Sequence, residues 1–333
     1  VLVKAVVLAG GEGTRLRPLT FSTPKQMLPV AGRPVIERVV EELARHGVDE
    51  VVLSLGYRPD AFIAAYPGGT CAGVALKYAV EESPLDTAGA IAFAAREGGV
   101  ESGTFITMNA DVLSEIDVTA LVEFHRTRGA EATIALTPVE DPSFFGVVPV
   151  DESGRVKAFI EKPPAHLAPT NMINAGVYVL EPSFLRRVPT GRRVSVEREV
   201  FPALAAEGRL YALGSEALWT DMGTPAKYLD ANLAWAKREG ALARYGPGAH
   251  SGADVVDSVL HADARVEKGA VVHEAVLFEG AHVQAGACVH RSVLGRNVVV
   301  GPGALVNDLS VLGDGWVVGA GDVLTGARLP AAV

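Results

Sequence analysis

The sequence predicts an α/β chain in two parts: a mostly parallel sheet flanked by helices, then a β-solenoid. Two observations predict it. Through the first two thirds, short β-branched runs alternate with longer amphipathic stretches, the pattern of strands joined by covering helices. After residue 250, aliphatic side chains recur every six residues, a period too short for helical repeats and suited to one short face of a coil. Strands are expected over residues 3–8, 50–55, 76–80, 104–108 and 132–137, with helices over 35–46, 88–97 and 119–127. Gly47 suits the left-handed position after the first helix. Strands continue over 146–149, 155–161 and 175–180, with Asp151-Glu152-Ser153-Gly154 as a turn. A helix over 226–238 leads out, and Gly246-Pro247-Gly248 breaks the chain, which sets domains at 1–245 and 250–333.

In the second domain Leu294, Val300, Val306, Leu312, Val318 and Leu324 keep a strict spacing of six. Val266, Val272 and Phe278 keep it upstream, as do Val283 and Val289 after a one-residue slip. Gly301, Gly313 and Gly319 follow three of the aliphatics, as turns require. These rows resemble the hexapeptide repeats of left-handed β-helices. Acyltransferases with such repeats use a histidine base, but His250, His261, His273, His282 and His290 read better as solvated or packing side chains. The array is short and has no long inserted loop. A flat solenoid edge invites pairing, so a homo-oligomer formed through this domain is expected.

Composition narrows the function. The chain has 333 residues, 49% of them hydrophobic, yet no apolar run approaches the length of a membrane helix. Its first residues lack the pattern of a secretory signal, so a cytoplasmic protein with no membrane partner is expected. Cys71 and Cys288 are too few for a disulfide framework and read as reduced thiols. A net charge of -9 argues against nucleic acid as a partner, while free nucleotide needs only a few local cations.

Those cations stand at the end of the first strand. Leu8 leads into Gly10-Gly11-Glu12-Gly13-Thr14-Arg15, and Pro24-Lys25 follows shortly after. Glycines let backbone N–H groups approach a ligand without a side chain in the way. Arg15 adds a planar fork and Lys25 a compact charge, which together suit a polyphosphate. A Walker loop would need Lys-Ser or Lys-Thr after the last glycine, and a Rossmann fingerprint would open a helix where Arg17-Pro18 stands.

The segment resembles the signature of the sugar-1-phosphate nucleotidylyltransferases, Gly-Gly-x-Gly-Thr-Arg-Leu-x-Pro-Leu-Thr and then Pro-Lys. It matches at Gly10, Gly11, Gly13, Thr14, Arg15, Leu16, Pro18, Leu19, Thr20, Pro24 and Lys25. The resemblance implies a Rossmann-like nucleotidyltransferase sheet. It also implies that Leu8, Gly10, Gly11, Gly13 and Thr14 hold the nucleotide while Arg15 and Lys25 stabilise the reacting phosphates. In such a reaction a sugar-phosphate oxygen attacks the nucleotide α-phosphorus and pyrophosphate leaves. With a second pKa of about 6 the attacking phosphate is already largely dianionic at neutral pH. No general base is therefore required; the obstacle is one anion approaching another.

Mg²⁺ prefers carboxylate oxygen. Asp111 follows the strand over 104–108, at the strand end where open α/β sheets bind ligands. Asp221 lies in Trp219-Thr220-Asp221-Met222-Gly223-Thr224-Pro225. Taken alone, each Asp also suits a helix N-cap or a turn. The resemblance implies that both hold the metal and that Asn109 lies on the nucleotide side.

Glu161-Lys162-Pro163 reads equally as a solvated ion pair. The resemblance gives Glu161 to sugar hydroxyls and Lys162 to the sugar phosphate, as a third catalytic cation. Gly146 and Asn174 match sugar-site motifs, and the Asn174 amide can donate to and accept from hydroxyls. The loop from Glu81 to Gly89 matches the one that reads the base. Guanine offers adjacent N–H donors, which the acceptor-only Glu81 or Glu82 suits better than the glutamine common among pyrimidine users. Asp86 departs from the Gly found in many relatives. Ser195-Val196-Glu197-Arg198-Glu199-Val200-Phe201-Pro202 resembles a segment of the mannose-1-phosphate guanylyltransferases and reads as a helix capped by Ser195. The resemblance covers nearly the whole chain and implies GTP, a hexose 1-phosphate, Mg²⁺ and GDP-mannose as product. A glucose-1-phosphate thymidylyltransferase or a non-catalytic regulatory relative are the alternatives.

Overall fold

The computed structural model describes residues 4–242 and 249–331; Gly246-Pro247-Gly248, the expected boundary, lies outside them, as does residue 3. The chain separates into two compact units. One holds residues 1–11 and 36–219, and the other holds 12–35 together with 220–333.

The first unit is built on a mixed sheet. Strands β1 (Ala5–Leu8), β2 (Glu50–Leu55), β3 (Val74–Val80) and β4 (Phe105–Asn109) are parallel, in the spatial order β3-β2-β1-β4. The chain therefore reverses its direction of winding at β1, which places the ends of β1 and β4 side by side with Leu8 opposite Asn109. Beyond β4 the sheet turns antiparallel. There β5 (Ala132–Pro138), β6 (Gly146–Val147) and β7 (Ile160–Glu161) gather around β8 (Met172–Leu180), while β9 (Leu210–Gly214) runs parallel to β5.

The strand expected over 155–161 pairs regularly only at Ile160–Glu161; its earlier residues make single bridges, Val156 to Val150 and Arg155 to Tyr211. Pro149 has no N–H to extend the ladder, and its carbonyl accepts from Lys157 instead. Asp151 Oδ1 organises the turn before it, accepting the Ser153 and Arg155 amides at 2.8 and 3.0 Å.

Helix α1 (Val35–Arg45) ends at Gly47 with φ 80°, and α3 (Val118–Arg128) is capped by Asp117, which accepts from the Ala120 amide at 2.9 Å. Between them in sequence, α2 (Asp86–Gly98) lies unusually close to the sheet. A Cβ at Gly98 would stand 2.2 Å from a Val52 methyl, so only glycine fits there. Ala88, Ile91, Ala92 and Ala95 of α2 close the core with Val6, Val52, Phe105, Ile134, Tyr178 and Phe201.

In the second unit three parallel sheets form the coils of the β-helix. Their inward rows are Val255-Val272-Val289-Val306-Leu324, Leu260-Leu277-Leu294-Leu312-Leu329 and Val266-Val283-Val300-Val318. The expected row is corrected at one place: Leu277, not Phe278, fills the interior. Phe278 leaves the coil and packs edge-on against Tyr228, with ring centroids 6.5 Å apart. The three glycines open turns as expected: the Gly301, Gly313 and Gly319 carbonyls accept the Ala304, Trp316 and Asp322 amides, each at 3.2 Å. Gly301 and Gly313 are needed for space, since a Cβ at Gly301 would lie 2.8 Å from the Ala320 amide nitrogen of the next coil. The left-handed positions of the coil turns include Gly269, Gly280, Gly286, Gly303, Gly315 and Gly321, with Asp263 and Asn297 taking the same conformation at φ 58° and 54°.

Helix α4 (Pro225–Arg238) ties this unit together. Buried Tyr228 donates its hydroxyl to the Pro29 carbonyl, and Asn232 Oδ1 accepts the Ala31 amide at 3.0 Å.

Candidate active site

In the first unit, four of the expected residues meet at the neighbouring ends of β1 and β4. Leu8 and Asn109 stand in register, the Ala110 amide donates to the Leu8 carbonyl at 3.0 Å, and Gly10 and Asp111 follow directly. Gly10 must be small: a Cβ there would lie 3.3 Å from the Gly56 amide and 3.8 Å from Glu81 Oε1. Gly11, exposed, closes this unit's first segment. Gly176 on β8 has φ +75°, and a Cβ there would meet Asn109 Nδ2 at 2.8 Å, so the asparagine packs directly on the strand backbone.

Glu81, at the end of β3, is half-buried. Its Oε1 accepts from the Ser54 hydroxyl and its Oε2 from the Leu85 amide, both at 3.0 Å. Each oxygen keeps a second lone pair able to accept from a further donor. Asp86 has φ +62°, the conformation that glycine adopts without cost. Asp86 holds that conformation with its Oδ1 accepting the Thr87 amide at 2.9 Å. Gly89 lies beneath the segment at residues 192–194, 3.1 Å from the Arg192 carbonyl at its would-be Cβ.

The Ser195 segment buttresses the same loop. Thr87 Oγ1 donates to Glu197 Oε2 at 2.7 Å, and the Ala88 amide donates to the Val194 carbonyl at 2.9 Å. Ser195 Oγ caps as expected, accepting the Arg198 amide at 3.2 Å, but the turn over Val196–Val200 is a π-turn leading into the α-helix Phe201–Ala206.

A third group in this unit surrounds β6 and β7. Gly146 stands in register with Glu161, and a Cβ on it would collide with the Phe159 ring at 2.4 Å. Lys162 has φ +48° and its Nζ lies 3.3 Å from Glu161 Oε1; its amide donates to the Phe145 carbonyl. Strain of this kind at a non-glycine residue is common at ligand sites. Phe145 packs edge-on against Trp219 at 5.6 Å, and the Trp219 indole donates to the Ala175 carbonyl at 2.9 Å. The Asn174 amide is partly engaged: Nδ2 donates to the Tyr178 hydroxyl and Oδ1 accepts the Gly176 amide, both at 2.9 Å. One hydrogen and one lone pair remain for a hydroxyl. Burial pushes the Tyr178 hydroxyl well above the ordinary tyrosine pKa, so it stays a neutral partner.

The second unit carries the cations. Short turns at Thr14–Leu16, Leu19–Phe21 and Lys25–Met27 fold the loop back on itself around buried Leu16, Leu19 and Leu28. Gly13 makes this possible with φ +64°; a Cβ on it would lie 2.9 Å from Lys25 Cβ, and Thr20 Oγ1 donates to its carbonyl at 2.9 Å. Thr14 and Arg15 are exposed on this frame.

Arg15 and Asp221 meet over Gly223. A Cβ there would stand 2.7 Å from Arg15 Nη2 and 2.9 Å from Asp221 Oδ1. Asp221 Oδ1 accepts the Gly223 amide at 2.8 Å, and Oδ2 accepts Lys227 Nζ at 2.7 Å. Lys227 was missed by sequence reasoning. Its signal was its place on the first turn of a helix opened by Thr224-Pro225, six residues beyond Asp221. Both Asp221 oxygens keep a lone pair, so the carboxylate still suits a hard cation. Among the described residues no group of three or more His, Cys, Asp or Glu could cage a metal. Mg²⁺ does not demand one, because it is commonly held by one or two carboxylates and substrate phosphates.

A family model described as nucleotidyl transferase matches residues 4–238, and one described as the GMPPB C-terminal domain matches 243–330. The chain belongs to the nucleotidyl transferase family. It is 47% identical over 229 residues to the mannose-1-phosphate guanylyltransferase of Mycobacterium tuberculosis, covering 68% of this chain and 63% of that one. It is 40% identical over 230 residues to the mannose-1-phosphate guanyltransferase of Aspergillus fumigatus, covering 68% and 62%. The chain thus spans less than two thirds of the length of either relative. Among solved structures, HddC from Yersinia pseudotuberculosis complexed with GMP-PN is 28% identical with a TM-score of 0.59, over 70% of this chain and 100% of that one. No helix among the described residues is long and apolar enough to cross a membrane.

Proposed function

We propose that this chain transfers GMP from GTP to mannose 1-phosphate, releasing pyrophosphate and forming GDP-mannose. The observation that carries the reading is the gathering of Arg15, Asp221 and Lys227 about Gly223, from segments far apart in sequence. A cation fork beside a carboxylate suits a phosphate-bound metal better than it suits a fold-stabilising ion pair, because Arg15 remains exposed. The guanine preference rests on Glu81, and the names of the relatives favour the same base and sugar.

In this reading the catalytic domain spans 1–245 and the β-helix domain 250–333. Backbone amides at Gly10, Gly11, Gly13 and Thr14 hold the triphosphate, Leu8 and Asn109 also contact the nucleotide, and Glu81 and the Gly89 turn orient the base. Gly146, Glu161 and Asn174 hold the sugar, and Lys162 binds its phosphate. Asp111 and Asp221 would each offer oxygen to Mg²⁺, which when bound neutralises phosphate charge. Arg15 and Lys25 stabilise charge as the bond to pyrophosphate breaks, and Lys162 brings the attacking oxygen into line. No residue need remove a proton. We place the enzyme in the cytoplasm as a homo-oligomer formed through the β-helix, whose last coil leaves Val317 and Val323 each 65% exposed.

Pyrophosphate release measured across GTP, ATP, UTP and dTTP, paired with mannose, glucose and galactose 1-phosphates, tests this directly. GTP with mannose 1-phosphate should lead by at least tenfold. A lead for dTTP with glucose 1-phosphate would transfer the assignment to the thymidylyltransferases, and tight GTP binding without turnover would mark a regulatory relative.

A further inference from the structure

The loop that carries Arg15 is held from outside by the end of the β-helix, within one compact unit. Arg328, on the last coil, donates Nη1 to the carbonyl of Arg15 itself at 3.1 Å. One coil earlier, Asp314 Oδ2 accepts the Ser22 hydroxyl at 2.8 Å, and its Oδ1 accepts the Arg296 amide at 2.8 Å. Arg296 in turn donates Nη1 to Thr23 Oγ1 at 3.1 Å. Gly313 completes the cradle: a Cβ there would lie 3.0 Å from Pro18 Cβ, so the buried proline sits directly on coil backbone.

These contacts touch the loop at residues 15, 18, 22 and 23, on both sides of its second turn. Within the loop the Leu16 and Arg17 amides close short turns onto the Gly13 and Thr14 carbonyls at 2.9 and 3.2 Å, while the Arg15 carbonyl is the group that Arg328 engages from outside. A carbonyl anchored by a guanidinium is held by a charge-assisted bond, about twice as strong as a neutral one. We infer that Arg328 is a positioning residue for Arg15, and that the end of the β-helix is the template on which the phosphate-handling loop acquires its reactive shape. This rests on the proposed function for its catalytic consequence, but not for its structural one.

The test pairs amide hydrogen exchange with kinetics in the full chain, comparing wild type with Arg328→Ala, Asp314→Asn and Arg328→Lys. In Arg328→Ala, exchange should rise at least tenfold at residues 14–23 and stay unchanged in the coil strands. kcat with GTP should fall roughly tenfold, as expected for a displaced reacting group, while KM for mannose 1-phosphate stays within twofold. Asp314→Asn should loosen residues 19–23 more than 14–17, and Arg328→Lys should recover most of the lost rate. Unchanged exchange at 14–23 in Arg328→Ala overturns the inference whatever the activity, as does a looser loop with unaltered kcat. Loosening spread through the coils with a lowered Tm also overturns it, since that marks a purely structural role. A wild type inactive on every substrate pair refutes the proposed function alone, and exchange still decides whether the coil holds the loop.

Discussion

Gly223 offers a sharp perturbation of the proposed centre, because it separates catalysis from folding. A methyl at this position would lie 2.7 Å from Arg15 Nη2, 3.2 Å from Arg15 Cζ and 2.9 Å from Asp221 Oδ1. Ordinary contact begins near 3.5 Å, so the guanidinium must retreat by roughly 0.8 Å. Arg15 is exposed and flexible, and Gly223 has no left-handed backbone to strain, so the retreat costs the fold little. For reaction geometry the same shift is large: a misplacement of about 1 Å can cost on the order of 10²-fold in rate. Gly223→Ala should therefore lower kcat by roughly 10- to 100-fold with a Tm within about 2 °C of wild type. Steady-state pyrophosphate release and a thermal melt measure the two quantities. A variant that turns over within twofold of wild type would show that Arg15 acts elsewhere or not at all.

Other substitutions probe separate parts. Arg15→Ala and Lys25→Ala should each reduce kcat by about 10² to 10⁴, by analogy with other phosphate-clamping cations; near-normal rates in both would remove them from the chemistry. Asp111→Asn and Asp221→Asn should raise the Mg²⁺ concentration giving half-maximal rate, and an unshifted titration curve would speak against ligation. At Asp86, with φ +62°, alanine should destabilise by roughly 1–2 kcal/mol while glycine stays within about 0.5, a contrast read by urea denaturation. Glu279 tests the solenoid by pH. The His261 ring, with Nδ1 3.6 Å from Oε1, and Arg296 beside it hold its carboxyl down to about 2. A depressed carboxyl contributes stability above its unfolded pKa, near 4.5, and that contribution disappears as pH falls toward about 2. Glu279→Gln should flatten the stability profile through that window, and an unaltered acid limb would refute the pairing.

Much of the frame was legible because it depends on local pattern. The run over 50–55 stands alone between a helix and Gly56, and the strand Glu50–Leu55 forms there without adjustment. What eluded the sequence depends on partners distant along the chain. The period of six pointed to Phe278, but one missing residue at that corner moved Leu277 inward and released the ring toward Tyr228. Arg15 and Asp221 could be named from motifs, yet their meeting over Gly223 follows from how helix α4 docks on Pro29 and Ala31. Lys227 belonged to no recognised motif and declared itself only through its 2.7 Å contact with Asp221. The amide of Asn174 looked available for substrate and proved to be half engaged with Tyr178 and Gly176, a pairing that a strand pattern does not encode.

Arg15 and Arg328 are separated by 313 positions along the chain, and Ser22 and Asp314 by 292. At 5–20 residues per second, a ribosome needs on the order of half a minute between releasing the first member of each pair and the second. Throughout that interval the glycine-rich turn has emerged without the coil that receives it. A nascent chain, or one cut short before its final coil, therefore carries every signature residue and still lacks the scaffold that seats them. Emergence of the coil that carries Asp314 and Arg328 itself becomes the event that assembles this part of the molecule.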